Sequence, residues 1–154
     1  MRLVDASIWI AFFKIGQLDL LLKLPDLAIS ARVLRELEDR PDYLTQAVPR
    51  AIDGGAIDLV PLGDVDTETL TEVLLAKDGK RTNVSEADAE QLALAATSQR
   101  AVLYMCDRNM RNLSTNVDIR PCAELINDMV DLHVVDLRQR HHLLTHLRAY
   151  YESP

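Results

Sequence analysis

Several things are scarce in this chain of 154 residues, and each scarcity narrows what it can be. There are two cysteines, Cys106 and Cys122, and neither belongs to a Cys-x-x-Cys pair. That excludes a disulfide framework and a thiolate zinc site, and leaves two reduced, buried thiols as the expectation. No apolar run approaches the roughly 20 residues that a membrane-spanning helix needs. The opening Met1-Arg2-Leu3-Val4-Asp5 carries no apolar leader and no cleavage site, so no membrane association and a cytoplasmic location are expected. Aromatic residues make up 5% of the chain, which leaves few platforms for stacking bases. Positive charge is scarce as well: 17 Lys and Arg stand against 24 Asp and Glu, a net charge of −7. A grip on nucleic acid over a broad basic face is therefore unexpected. A pocket of carboxylates around divalent cations is not excluded, because bound cations reverse the local field.

What is present is a folded composition, 48% hydrophobic and 27% charged, of a length that suits one domain with a real core. Short apolar runs alternate with longer helical stretches, without internal repeats. Leu3-Val4 reads as a very short strand leading into Asp5, and Ser7 as the cap of a helix through Ile8, Trp9, Phe12 and Phe13 that Gly16 breaks. Leu18 to Leu24 reads as a second short helix, Leu27 to Ser30 as a strand, and Ala31 to Arg40 as a helix. Tyr43 to Asp53 is helical, with Pro49 as a kink or boundary and Gly54-Gly55 as the stop. Ile57 to Leu62 is a third strand, and Thr67 to Ala76 and Ser85 to Gln99 are helices. The second of these is rich in Ala, Leu, Glu and Gln. Ala101 to Cys106 is a buried strand, Val117 to Ile119 a short last one, Pro121 opens a helix, and Leu137 to Tyr151 closes the chain. Strands separated by helices imply a three-layer α/β/α sandwich around a mostly parallel sheet. Ligands bind such sheets beyond the carboxyl ends of the strands.

Two aspartates stand at that edge by position alone. Asp5 follows the first strand, and Asp107 follows the strand at 101–106. Glu36, in the helix after Ser30, and Asp88, in the first turn after Ser85, can point the same way. Each has a plain structural alternative. Asp5 can simply end a strand, Ser85 and Asp88 resemble a capping box, Asp107 can start a turn, and Glu36 can belong to a solvated face with Glu38 and Asp39. In a chain with 16 Asp and 8 Glu one acid means little, but four at compatible positions mean more. Together they suit phosphodiester hydrolysis. Hard divalent cations prefer oxygen ligands, activate water and offset charge on the leaving oxygen. Without a cation, four carboxylates in one pocket repel one another and their pKa values rise.

At these residues the chain resembles the PIN-domain family, in particular the VapC-like toxins of prokaryotic toxin–antitoxin pairs. Leu3-Val4-Asp5-Ala6-Ser7-Ile8-Trp9-Ile10 is similar to the family's first motif, and Ser30-Ala31-Arg32-Val33-Leu34-Arg35-Glu36-Leu37 to its second. Ala87-Asp88-Ala89-Glu90-Gln91-Leu92-Ala93 looks like the third, and Val102-Leu103-Tyr104-Met105-Cys106-Asp107-Arg108-Asn109-Met110 like the fourth. The resemblance extends to about Asp131. It implies a PIN-like sandwich over residues 1–154, with 136–154 as a C-terminal helical extension. It also implies a Mg²⁺- or Mn²⁺-dependent endoribonuclease acting on RNA, a homodimer, and a small antitoxin that blocks the pocket. Carried over, Asp5 and Asp88 are direct metal ligands, Glu36 and Asp107 complete the catalytic site, and Ser7 orients Asp5 or a metal-bound water. Met105-Cys106 depart from the family, which often places a hydroxyl residue near the fourth acid.

Local basic groups are the candidates for RNA contact: Arg108 and Arg111 beside Asp107, and Lys77, Lys80 and Arg81 before the Asp88 helix. His142 and His146 lie one helical turn apart beside His141 but lack the glutamate of a His-Glu-x-x-His site, which favours a solvated or partner-facing helix. His133 reads as structural. The first two helices are apolar enough that either the core or a partner could cover them. Two other functions compete. A catalytically silent PIN-like binding protein keeps the fold without cleavage. A receiver-type phosphoacceptor domain needs paired acids after its first strand and a late lysine, and this chain has a single Asp5 and no lysine after Lys80.

Overall fold

In the computed structural model, residues 1–39, 44–61, 86–98, 100–106 and 117–151 are described. Five strands form one sheet: β1 (Arg2–Val4), β2 (Leu27–Ser30), β3 (Asp58–Val60), β4 (Val102–Tyr104) and β5 (Asp118–Arg120). Every pairing is parallel and the order is β3-β2-β1-β4-β5. Seven helices accompany them among the described residues: α1 (Ala6–Lys14), α2 (Leu18–Leu21), α3 (Ala31–Glu38), α4 (Leu44–Asp53), α5 (Glu86–Thr97), α6 (Cys122–Asp131) and α7 (Leu137–Tyr151). The architecture is the α/β sandwich that the alternating runs imply.

The period-2 alternation of the strands divides the core in two. Val4, Leu27, Ile29 and Tyr104 face a large cluster with Trp9, Phe12, Leu21, Val33, Leu37, Leu125, Leu143 and Leu147. Leu3, Ala28, Leu103 and Met105 face the other way, onto Leu92, Leu94 and Ala95 of α5. The chain steps from β1 to β2 to β3 and then returns to the far side of β1 for β4 and β5. A crossover in the reversed direction belongs on the opposite face of the sheet if its hand is kept, and α5 is the helix found there.

The apolar helices at the start of the chain are taken up almost wholly by this core. Ile8, Trp9, Phe12, Leu18, Leu20, Leu21 and Leu24 are buried, whereas Phe13 and Leu22 are half-buried and line an open cavity of about 490 Å³ with Ala47, Arg50 and Ala56. Trp9 Nε1 finds the Val4 carbonyl at 3.1 Å, so its one polar atom is satisfied inside.

Helix ends differ from expectation at informative places. Asp5, not Ser7, occupies the cap position of α1: its carbonyl accepts from the Ile8 and Trp9 N–H groups. The Asp5 N–H is already bonded to the Tyr104 carbonyl, so strand passes into helix with no linker and the helix starts earlier than Ser7 would allow. Pro49 lies inside α4 rather than at its boundary. Gly16 (φ 71°) and Gly55 (φ 79°) do stop α1 and α4, each in a left-handed turn. There the next residue's N–H reaches back to Phe12 and to Ala51, respectively. His133 (φ 58°) plays the same part after α6, where its N–H bonds Val130 and that of Val134 bonds Met129. Pro121 is the cap residue of α6. Asp136 and Gln139 cap α7 reciprocally, at 2.7 and 2.9 Å. The helix expected at 67–76 lies outside the described residues, as do Leu62 and Arg40 at the ends of two other expected elements.

Candidate active site

The strand order reverses between β1 and β4, and the crevice beyond their carboxyl ends is where such sheets bind ligands. Asp5 is the first residue past β1 and sits in that crevice. Although it caps α1, its side chain makes no hydrogen bond to the helix's own N–H groups. Instead Oδ2 accepts from Ser7 Oγ at 2.7 Å and Oδ1 from Gln91 Nε2 at 2.9 Å. The carboxylate is thus gripped from α1 on one side and from α5, 86 residues on, on the other.

Two further acids approach from other elements. Ser30 is both the last residue of β2 and the cap of α3, its hydroxyl accepting from the Val33 N–H at 3.1 Å. This direct strand-to-helix passage brings Glu36, one turn and a half into α3, toward the same edge. The Glu36 side chain is solvent-exposed overall, yet its carboxyl is raised above the usual glutamate value of 4.5. Partial burial of the carboxyl is the largest cause and the charge of Asp5 the next; Asp88 and Glu90 add to it, and Arg32 opposes it. Asp88 is half-buried in the first turn of α5, the helix that crosses the opposite face.

Asp5, Glu36 and Asp88 therefore share one electrostatic field, with Ser7 touching Asp5. Asp107, Arg108, Arg111, Lys77, Lys80, Arg81 and Ser85 lie outside the described residues. Two members of the field were not singled out from sequence, Glu90 and Gln91. Gln91 stands three residues after Asp88 on the same helical face, which is the signal that could have found it. It is 1% exposed, a rare degree of burial for glutamine. Glu90 Oε2 and Gln91 Oε1 are buried and have no hydrogen-bond partner among the described residues.

This donor set fits a hard divalent cation in kind, being made of carboxylate and amide oxygens with acceptor capacity unfilled. Among the described residues, no three His, Cys, Asp or Glu side chains are close enough together to hold a metal ion.

Reported against known families, residues 1–126 match a family model described as a PIN domain. The chain belongs to the PIN-domain family. No curated protein and no solved structure matches it. In this PIN domain the sheet, the reversal between β1 and β4 and the acids beside it together make a nuclease-type fold. No helix among the described residues is long and apolar enough to cross a membrane.

The histidines of α7 stand apart from this site. His142 and His146 are exposed, their ring centroids 4.0 Å apart, and His146 Nδ1 lies 2.8 Å from the His142 carbonyl. Cys122 is buried and Cys106 half-buried.

Proposed function

We propose that this PIN-domain protein is a Mg²⁺- or Mn²⁺-dependent endoribonuclease, the toxin of a toxin–antitoxin pair. In this reading Asp5, Glu36, Asp88 and Asp107 hold the cation and Ser7 supports Asp5. The single observation that supports it is that Asp5, the first residue past β1, and Asp88 of α5 both act on the Glu36 carboxyl of α3, so acids from three separate elements sense one another. Acids gathered only by chance on a surface have no reason to meet at the ligand-binding edge of the sheet.

A bound cation would activate water and offset charge on the phosphodiester. The chain's own residues would do the rest. Asp5 is held in one orientation, so it meets a cation without first reorganising. Burial and the charge of Asp5 raise the Glu36 carboxyl in the metal-free protein, and a cation beside it would favour the ionised form that a ligand needs. Asp107, following β4, would complete the set from the other side of the crevice. Arg108, Arg111, Lys80 and Arg81 would steady RNA phosphates. We read residues 1–154 as one domain, with the helix from Leu137 as an extension, acting in the cytoplasm as a homodimer and silenced by a small antitoxin.

A second reading, a silent PIN-like binding protein, draws support from the lack of three close metal ligands among the described residues. One experiment separates the two: purified protein is incubated with total RNA, with and without Mg²⁺ or Mn²⁺, and new ends are mapped. The nuclease reading expects metal-dependent cuts by the wild type and none by Asp5→Asn or Asp88→Asn. Equal cutting by all three proteins would overturn the site assignment, and no cutting by any would favour the silent reading. Expression of the wild type alone, but not of Asp5→Asn, is expected to arrest growth.

A further inference from the structure

Packing does not explain Gln91. Its side chain is fully enclosed on α5, between Glu90 and the apolar run Leu92 to Ala95. A methionine or leucine would fill similar space without a polar group to satisfy. The amide is only half satisfied. Nε2 donates to Asp5 Oδ1 at 2.9 Å, while Oε1 is buried with no partner among the described residues. The orientation is not arbitrary, since turning the amide over would set its oxygen against a carboxylate oxygen. Both amide atoms hang on one carbon, so Oε1 lies beside the same carboxylate that Nε2 holds. A buried acceptor left unfilled destabilises a fold, and one in a native site calls for a reason.

We propose that Gln91 is a positioning residue of the cation site. Its Nε2 fixes the Asp5 carboxylate in one orientation for a hard divalent cation, at the expense of leaving the buried Oε1 unfilled. This rests on the reading of Asp5 as a cation ligand. Ser7 and Gln91 each fill one acceptor position on a different oxygen of Asp5, and the other lone pairs stay available to a cation. Ser7 is exposed, so water can replace its hydroxyl. Gln91 is buried, so its loss is not made good by bulk solvent.

The test is Mn²⁺ binding to the full chain by calorimetry or electron paramagnetic resonance, paired with thermal unfolding of the metal-free protein. Gln91→Met is expected to weaken Mn²⁺ binding by about 10- to 100-fold, as loss of an outer-sphere partner does. Its metal-free Tm is expected to change little, because removing the unfilled acceptor offsets the lost bond to Asp5. A merely structural glutamine gives the opposite pattern, a lowered Tm with wild-type Mn²⁺ affinity, and that result overturns the proposal. Asp5→Asn separates the two levels. If it abolishes Mn²⁺ uptake while Gln91→Met binds normally, the Gln91 inference fails and the Asp5 reading stands. If Asp5→Asn binds like the wild type, the Asp5 reading fails and takes this one with it. Should Gln91→Met not fold, Gln91→Asn keeps the amide but falls short of Asp5, and its Mn²⁺ affinity is judged in the same way.

Discussion

The backbone N–H of Asp5 donates a 3.1 Å hydrogen bond to the carbonyl of Tyr104, one residue beyond the last parallel pair of β1 and β4. The sheet thus extends to the mouth of the crevice and delivers Asp5 there on rigid backbone. Its side chain inherits that precision only through Ser7 and Gln91. Ser7→Ala removes the 2.7 Å bond from an exposed hydroxyl whose place water can take. Under the proposed ribonuclease function, the expected result is a loss of RNA cleavage of about tenfold, at the mild end for outer-sphere partners, with Tm nearly unchanged. Cleavage rates and thermal unfolding of the variant check both halves.

Much of this was readable from residues whose meaning is local. Asp5 after an apolar pair, Ser30 before Ala31, Gly16 and Gly54-Gly55 as stops, and the alanine-rich stretch from Ser85 all announce themselves within a few positions. Where reading failed, the deciding partner was distant. Ser7 looks like the cap because hydroxyls favour that position, but the Asp5–Tyr104 backbone bond joins strand to helix two residues earlier. Gln91 passes for an ordinary helix residue until the β3-to-β4 crossover sets α5 over Asp5. Pro49 leaves a kink or a boundary open from its missing N–H, and α4 runs through it.

On the face of the sheet away from α5, Tyr104 is anchored through chemistry that owes nothing to the crevice. Its hydroxyl donates to Asp128 Oδ2 at 2.7 Å, and Arg120 Nη1 donates to the same oxygen at 2.8 Å while holding Asp118. Burial and the Asp128 carboxylate hold the phenol well above its usual range, so it remains a donor at any physiological pH. Tyr104→Phe deletes one charge-assisted bond and leaves Asp128 paired with Arg120. A loss of about 1.5 kcal/mol of unfolding free energy is expected in denaturant titrations, with RNA cleavage per folded molecule unchanged.

Glu36 makes the metal-free protein sensitive to pH in a stated direction. Its native carboxyl lies above the 4.5 expected of it in the unfolded chain, first through partial burial and then through Asp5. Within that window the native state binds more protons than the unfolded one, so stability falls as pH rises through it. Glu36→Gln removes this contribution. In the presence of a chelator, the variant's Tm should gain on the wild type as pH rises upward from the ordinary glutamate value of 4.5, modestly because the side chain is exposed. A gap between the two proteins that does not change with pH would count against the assignment.

His133 offers a stability test remote from any metal. It sits at φ 58° after α6, where its N–H and that of Val134 bond the carbonyls of Val130 and Met129. Gly16 performs the same turn after α1 at φ 71°, and a Cβ placed there would meet nothing within 4 Å. Any effect of changing Gly16 is therefore one of backbone conformation rather than collision. The left-handed region disfavours a residue with a Cβ by roughly 1 kcal/mol, partly offset because glycine gains freedom when unfolded. His133→Gly is expected to stabilise the protein by about 0.5 kcal/mol, and Gly16→Ala to destabilise it by about 1 kcal/mol. The two shifts should have opposite sign in the same denaturant titration. Destabilisation by His133→Gly would mean that the imidazole makes contacts worth more than the strain of its turn.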